Sequence, residues 1–165
     1  MGYGLAARTN DLTLADFAKL TDVFYIGGTK VGALFGEAVV ILNDELKQNF
    51  RYSIKEHGGM LAKGRLLGIQ FEELFKNNRY LKISKNAAVL AEELAAALKK
   101  KGYAFQYKPE SNQIFVIMTN AKIKSLRKQF AFHTNGTIDR THTAVRFVTS
   151  FMTTEENVQK LIHAL

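Results

Sequence analysis

The stretch that most constrains the fold is residues 21–42, TDVFYIGGTKVGALFGEAVVIL, in which a glycine-rich segment separates two apolar runs. The first run holds β-branched and aromatic residues, which favour a buried strand. Gly27 and Gly28 end this run, because glycine adopts conformations closed to other residues and lets neighbouring groups approach closely. Residues 37–42 form the second apolar run. The pattern therefore predicts two buried strands joined by a glycine-rich turn.

The turn carries Lys30, directly after Thr29. A long cationic side chain is rarely buried between strands without a partner. Either the turn lies at the surface with the amine in water, or the amine is held away from water and used in chemistry. Desolvation favours the neutral amine of a lysine, and a neutral amine can condense with an aldehyde. From the residues alone, the surface turn is the favoured interpretation.

Composition narrows the class of protein. The chain has 165 residues, 47% of them hydrophobic, which suffices for one ordinary domain or parts of two. The absence of cysteine excludes disulfides and thiol catalysis and fits a reducing, cytoplasmic setting. No apolar run reaches the ~18 residues of a membrane span, so we expect no membrane association. The four histidines lack the spacing of metal ligands, so we expect no metal site.

A net charge of +8 makes nucleic acid a candidate partner, because the nucleic-acid backbone is negatively charged. The basic residues are spread over several predicted helices, without the interleaved aromatic side chains on which bases stack. The Lys99-Lys100-Lys101 run fits a helix C-terminus, where cations are favourable. This pattern therefore argues against nucleic-acid binding, which stays open as an alternative.

The second half of the chain has the pattern of a compact α/β unit. Asn135-Gly136 is a strong turn sequence, and Thr153 with Glu156 resembles the cap of a last helix. We expect an antiparallel sheet with helices on one side. The pattern predicts strands over residues 103–107, 113–118 and 143–149, and helices over residues 81–101 and 121–128.

The first half does not complete a fold of this kind. Thr13 and Asp16 resemble a capping box, and residues 44–75 read as helix interrupted at 57–59, with apolar residues around most of its later part. The predicted division is an incomplete large domain over residues 1–52, a linking or interface helix over 53–80, and a small α/β domain over 81–165. Part of the large domain is expected to lie on a segment outside this sequence.

Two segments, FYIGGTKVGALFGEAVVIL and AVRFVTSFMTTEENVQKLI, resemble the C-terminal half of a threonine aldolase. These aldolases and β-eliminating lyases use pyridoxal phosphate (PLP) on the aspartate-aminotransferase fold. The resemblance extends through LTLADFAKLTD, HGGMLAKGRLLGIQFEEL and SNQIF. It implies an α/β chain: the C-terminal part of a PLP-dependent transferase-like large domain, followed by a small α/β domain with an antiparallel sheet.

The resemblance also implies an activity and residues for it. A carbon–carbon lyase of this class cleaves L-threonine or a related β-hydroxy amino acid to glycine and an aldehyde. Lys30 would be the catalytic residue that binds PLP covalently, with Thr29 helping to hold the cofactor. Arg146, in VRFVTS, would bind the substrate carboxylate, which a guanidinium matches in geometry. The implied assembly is a homodimer or homotetramer.

The family's first half supplies further PLP-binding groups: a histidine that stacks on the ring, an aspartate at its nitrogen, an arginine and a phosphate loop. These groups have no match here. We therefore expect the chain alone to hold PLP weakly and to show little or no aldolase activity. The alternatives are a non-catalytic truncated chain that self-associates and a basic nucleic-acid-binding module.

Overall fold

Two antiparallel sheets and seven α-helices make up the chain, whose computed structural model describes residues 1–165. Three short 3-10 helices lie at Thr29–Val31, Asp44–Lys47 and Lys76–Asn78. The elements in order are α1 (Gly2–Leu5), α2 (Leu14–Leu20), β1 (Val23–Gly27), β2 (Glu37–Ile41), α3 (Phe50–Glu56), α4 (Arg65–Phe75), α5 (Arg79–Lys100), β3 (Gln113–Thr119), α6 (Asn120–Leu126), β4 (His133–Thr137), β5 (His142–Val148) and α7 (Glu155–Ala164).

The predicted pair of strands is confirmed as an antiparallel hairpin, in which Val23 pairs with Ile41 and Gly27 with Glu37. Because successive side chains alternate between faces, each strand has an inner and an outer set. The inner set packs on a small core formed by Ile26, Val31, Leu74 and Tyr80. The outer set, which includes Val23, Tyr25 and Val39, is exposed. Within this chain, the predicted burial of the two strands therefore holds for their inner face only.

The helical segments between the hairpin and the second sheet follow the sequence pattern. The expected interruption is present, since α3 ends at Glu56 and α4 begins at Arg65. On α4, Phe71 and Leu74 are buried, whereas Leu66 and Ile69 are half exposed. Helix α4 therefore has more apolar surface than the rest of this chain covers. No helix of the chain combines the length and the hydropathy needed to cross a bilayer.

The second sheet has the order β3-β5-β4, with both neighbouring pairs antiparallel. Helices α5, α6 and α7 all pack on one side of it, as the pattern predicted. The alternation that places apolar side chains on that side is regular in β3 and β5. The larger core contains Leu90, Ala91, Leu94, Ala95, Leu98, Ile114, Val116, Met118, Ile123, Leu126, Val145, Phe147, Val158 and Leu161.

Two predicted features of this sheet are wrong. Residues 103–107 make only an isolated bridge, between Phe105 and Val116. Asn135-Gly136 is not the turn but lies inside β4, at a register irregularity between Thr134 and Gly136. The chain reverses after β4 instead, where the Asp139 carboxylate accepts hydrogen bonds from two backbone N–H groups. An aspartate side chain that accepts hydrogen bonds from the backbone of its own turn stabilises a chain reversal without an Asn-Gly pair.

The caps of two helices were also predicted. The capping box at α2 is confirmed, since Thr13 and Asp16 bond reciprocally. At α7 the cap lies one residue later than expected: the Thr154 hydroxyl accepts from the backbone N–H of Asn157. The Thr153 hydroxyl instead accepts from the backbone N–H of Ser150 at 2.9 Å. Thr153 therefore shapes the loop after β5 rather than the helix.

Candidate functional site

Lys30 lies in the 3-10 turn that directly follows β1. The Gly28 carbonyl closes this turn by accepting from the backbone N–H groups of Val31 and Ala33, at 2.9 and 3.0 Å. A Cβ at Gly28 would lie 2.8 Å from the Ala33 Cβ and 2.9 Å from the Phe71 ring. Only glycine allows the turn to pack this closely on α4, so the close approach predicted for Gly28 is confirmed.

The turn directs Val31 inward and Lys30 outward. Val31 is only 2% exposed, whereas the side chains of Thr29 and Lys30 are exposed. Within this chain the turn therefore lies at the surface, which is the interpretation that the residues alone favoured. The physical reason is that only one side of this three-residue helical turn faces the small core of the hairpin. Val31 occupies that side, so Thr29 and Lys30 face solvent.

Arg146 lies in the middle strand of the second sheet, paired with Phe115 of β3 and His133 of β4. Its neighbours in β5 enter the core, so Arg146 is on the opposite face. One guanidinium nitrogen donates to the Gln113 side chain at 3.2 Å. The Arg146 Nε is buried and has no hydrogen-bond partner. Buried N–H groups are nearly always paired, so this unpaired atom is an exception that singles out Arg146.

Arg146 lines a cavity of about 610 Å³, a size typical of sites for small molecules. The loop after β5 forms one wall, and its first residue is held firmly: the buried Thr149 hydroxyl donates to the Ala87 carbonyl of α5 at 2.6 Å. Other lining side chains with polar groups are His133, Ser150, Thr153 and Asn157. The cavity is thus bordered by one arginine, by several side chains with hydroxyl or amide groups and by apolar side chains.

Lys30 and Thr29 do not line this cavity. The two parts meet at Phe151, which follows the lining residue Ser150. A Cβ at Gly32 would lie 3.8 Å from the Phe151 ring, and the Tyr3 hydroxyl bonds to the backbones of both Lys30 and Phe151. The structure therefore brings the Lys30 turn against the loop of the Arg146 cavity. Sequence analysis missed Tyr3, because nothing in the pattern separates it from other apolar residues near it.

Comparison with known proteins found relatives for this chain. No family model matches it. Two curated relatives, low-specificity L-threonine aldolases of Pseudomonas sp. and Pseudomonas aeruginosa, are each 29% identical to 85% of this chain. Among solved structures, the threonine aldolase of Leishmania major superposes with a TM-score of 0.94 and 41% identity over 98% of this chain. The homologues of this chain are threonine aldolases. The resemblance seen in the sequence is confirmed.

The chain spans less than half the length of these threonine aldolases: 40% of each Pseudomonas relative and 47% of the Leishmania major chain. A serine palmitoyltransferase of Sphingomonas wittichii also matches, with a TM-score of 0.58 and 13% identity over 87% of this chain and 38% of its own. That likeness concerns the fold alone. The expected fold class, part of a PLP-dependent transferase-like α/β fold with an antiparallel sheet, is confirmed.

Proposed function

We propose that this chain forms part of a PLP-dependent carbon–carbon lyase, which cleaves L-threonine or a related β-hydroxy amino acid to glycine and an aldehyde. The observation that carries the proposal is the 41% identity to the Leishmania major threonine aldolase over 98% of this chain. The buried, unpaired Nε of Arg146 supports it independently, because the substrates of such a lyase carry a carboxylate.

The residues present fit PLP, which is an aldehyde with a phosphate group. Lys30 offers an accessible primary amine on a turn held by Gly28, and Thr29 offers a hydroxyl beside it. We propose that Lys30 binds the aldehyde carbon covalently and that Thr29 donates to the cofactor. When bound, PLP supplies an electron sink for the electrons of the broken Cα–Cβ bond.

The proposed role of Arg146 is to bind and orient the substrate carboxylate. A guanidinium can donate two parallel N–H bonds to the two carboxylate oxygens, and the Arg146 guanidinium bonds to one side chain of the chain, that of Gln113. Arg146 would thereby fix the amino acid on the side of the loop that faces the Lys30 turn.

We also propose the domain division into residues 1–52, 53–80 and 81–165. It is supported by two separate clusters of buried residues, one around the hairpin and one around the second sheet. A homodimer or homotetramer is proposed because the exposed apolar residues of α4, such as Leu66 and Ile69, suit an interface between subunits. The absence of cysteine supports a cytoplasmic location.

One experiment tests the cofactor residue without relying on activity. The chain is saturated with PLP and treated with borohydride, which makes attachment to an amine permanent, and each lysine is then quantified by mass spectrometry. We expect the label to concentrate on Lys30, and we expect Lys30→Arg to lose both this label and, before borohydride is added, the visible absorption of bound PLP. Lys128→Arg, at an exposed lysine far along the chain, is the control. Labelling spread evenly over all lysines would overturn the assignment.

A second experiment tests the reaction. This chain is combined with the part of the Leishmania major threonine aldolase that it does not cover, and acetaldehyde release from L-threonine is measured. We expect activity that requires PLP and disappears in Lys30→Ala. The control pairs the same Leishmania major part with the rest of its own chain. Activity in the control pair but none with this chain would count against the proposal.

A further inference from the structure

Tyr3 connects two segments that are far apart in sequence. Its hydroxyl donates to the Lys30 carbonyl, 27 residues away, and accepts from the backbone N–H of Phe151 at 3.1 Å, 148 residues away. Burial raises the pKa of this hydroxyl, and the Phe151 N–H partly offsets the shift. One side chain thus bonds to the backbone on both sides of the candidate site.

Each partner of Tyr3 belongs to a different part of that site. The Lys30 carbonyl is in the turn that carries the proposed cofactor amine. Phe151 directly follows Ser150, which lines the Arg146 cavity. Both segments have exposed residues beside anchored ones: the Lys30 side chain is exposed, and Phe151 and Met152 are 39% and 69% exposed. The Tyr3 hydroxyl bonds to both segments, and the Phe151 ring lies against Gly32.

Helix α1, which carries Tyr3, is itself held in place. The backbone N–H of Gly2 donates to the Tyr80 hydroxyl at 3.1 Å, and this hydroxyl donates to the Gly27 carbonyl at 2.9 Å. A Cβ at Gly2 would lie 2.5 Å from the Ser84 hydroxyl, so α1 lies directly on α5. Tyr80 therefore holds the end of β1 before the turn, and Tyr3 holds the carbonyl of Lys30 within it.

We propose that Tyr3 is a positioning residue of the candidate site, whose hydroxyl sets the Lys30 turn against the loop of the Arg146 cavity. This inference rests on the proposed function. A lysine that holds a cofactor and an arginine that holds the substrate carboxylate must keep a fixed separation, because small displacements of reacting groups cost much of the rate. Here the two residues are on separate elements, so a bond between those elements sets the separation.

The test compares Tyr3→Phe with Tyr103→Phe. Tyr103 is a matched control, because its hydroxyl also donates to a backbone carbonyl, that of Leu165, and burial also raises its pKa. Amide hydrogen exchange and borohydride labelling with PLP are measured on both variants and on the unaltered chain. We expect Tyr3→Phe to speed exchange severalfold in residues 28–32 and 150–153 and to lower the label on Lys30 severalfold. Tyr103→Phe should leave both unchanged.

The outcomes separate this inference from the proposed function. If Lys30 is not preferentially labelled in the unaltered chain, the proposed function fails and the inference fails with it. Suppose instead that Lys30 is preferentially labelled in the unaltered chain, but that Tyr3→Phe changes neither the label on Lys30 nor the rate of amide exchange in either segment. Only the inference about Tyr3 is then overturned. A merely structural tyrosine would lower the melting temperature of Tyr3→Phe while leaving the label on folded protein unchanged, which would also overturn it.

Discussion

At the scale of single residues, the polar groups buried in this chain divide into two kinds. Most are paired within the protein, as Tyr80 is with Gly2 and Gly27. The Arg146 Nε is buried without a partner. A paired buried group stabilises the fold, whereas an unpaired one lowers stability and is retained where a ligand uses it. Removing a paired buried group should therefore lower the free energy of unfolding more than removing an unpaired one.

Replacing Arg146 by methionine tests the unpaired group. Arg146→Met removes the Nε together with one hydrogen bond to Gln113, and apolar replacement of such a group is nearly neutral. We expect the free energy of unfolding, measured in urea, to stay within about 1 kcal/mol of the unaltered chain. Binding of L-threonine by the complemented enzyme should fall at least tenfold. A loss of stability well above that range would make Arg146 a structural residue.

Replacing Tyr80 by phenylalanine tests a paired group. Tyr80 is 1% exposed, so Tyr80→Phe leaves the Gly2 N–H and the Gly27 carbonyl without their partner. We expect a loss of ~1–3 kcal/mol in the free energy of unfolding. Tyr107→Phe is the control, since Tyr107 is 57% exposed and its loss should cost less than about 0.5 kcal/mol. Equal effects of the two variants would contradict this account.

At the scale of elements, the turns of the chain depend on short-range features that differ from one turn to the next. The turn after β1 depends on the close packing of Gly28 against α4. The turn between β4 and β5 depends on a carboxylate that bonds to its own backbone. The stability of the turn after β1 should therefore be sensitive to added side-chain volume, and that of the β4–β5 turn should be sensitive to pH.

Adding a methyl group at Gly28 should disturb the Lys30 turn. In Gly28→Ala the new Cβ would meet Ala33 and the Phe71 ring at under 3 Å, and such overpacking costs ~1–3 kcal/mol. Gly68→Ala, inside α4 with nothing within 4 Å of its Cβ position, should instead add ~0.5–1 kcal/mol. Urea denaturation of both variants measures this. A stability gain in Gly28→Ala would show that the turn is not tightly packed.

The β4–β5 turn should be sensitive to acid. Hydrogen bonds from the Thr141 backbone N–H and hydroxyl, with those from His142, hold the pKa of the Asp139 carboxyl well below its usual range. A lowered pKa in the folded state contributes stability that is present above the unfolded value of about 3.9 and is lost as pH falls toward the folded value. We expect Asp139→Ala to lower the melting temperature at pH 7.

The difference in melting temperature between Asp139→Ala and the unaltered chain should then shrink as the pH falls below about 4. Thermal unfolding followed by circular dichroism over a series of pH values provides the measurement. A difference that stays constant across the series would show that the carboxylate charge does not stabilise the turn.

At the scale of the whole molecule, the two halves of the chain differ in how completely they cover their own apolar surface. The second sheet is covered by three helices, with fourteen residues in its core. The hairpin has four buried residues in its core and leaves its outer face exposed. Exposed apolar sheet faces promote association, so the first half should govern how the chain behaves at high concentration.

Sedimentation velocity can test this. The chain is expected to self-associate as its concentration rises, and Val39→Lys, in the middle of the exposed face opposite Tyr25, should shift it toward monomer because the lysine charge would have to be desolvated on association. Asn86→Lys adds the same charge on an exposed part of α5 and should change little. A wild-type chain that remains monomeric throughout, or equal shifts in both variants, would contradict the prediction.

Much of the fold could be predicted from local sequence. The capping box at Thr13 and most of the strands and helices around the second sheet follow from side-chain chemistry within a few residues. Between α4 and α5 the chain bends at Asn77 and Asn78, whose positive φ values of 54° and 58° asparagine tolerates better than most residues. Motifs shared with threonine aldolases were also visible in the sequence.

The sequence by itself therefore determined most of the order of elements, the fold class and the homology to threonine aldolases. Only the tertiary structure decided that Lys30 is exposed, that the Arg146 Nε is buried without a partner, and that Tyr3 joins the two segments. The physical reason is the separation in sequence between the groups that interact. Helix caps and strand patterns depend on neighbours in the chain, whereas burial and hydrogen bonding of these residues depend on groups brought together from up to 148 residues away.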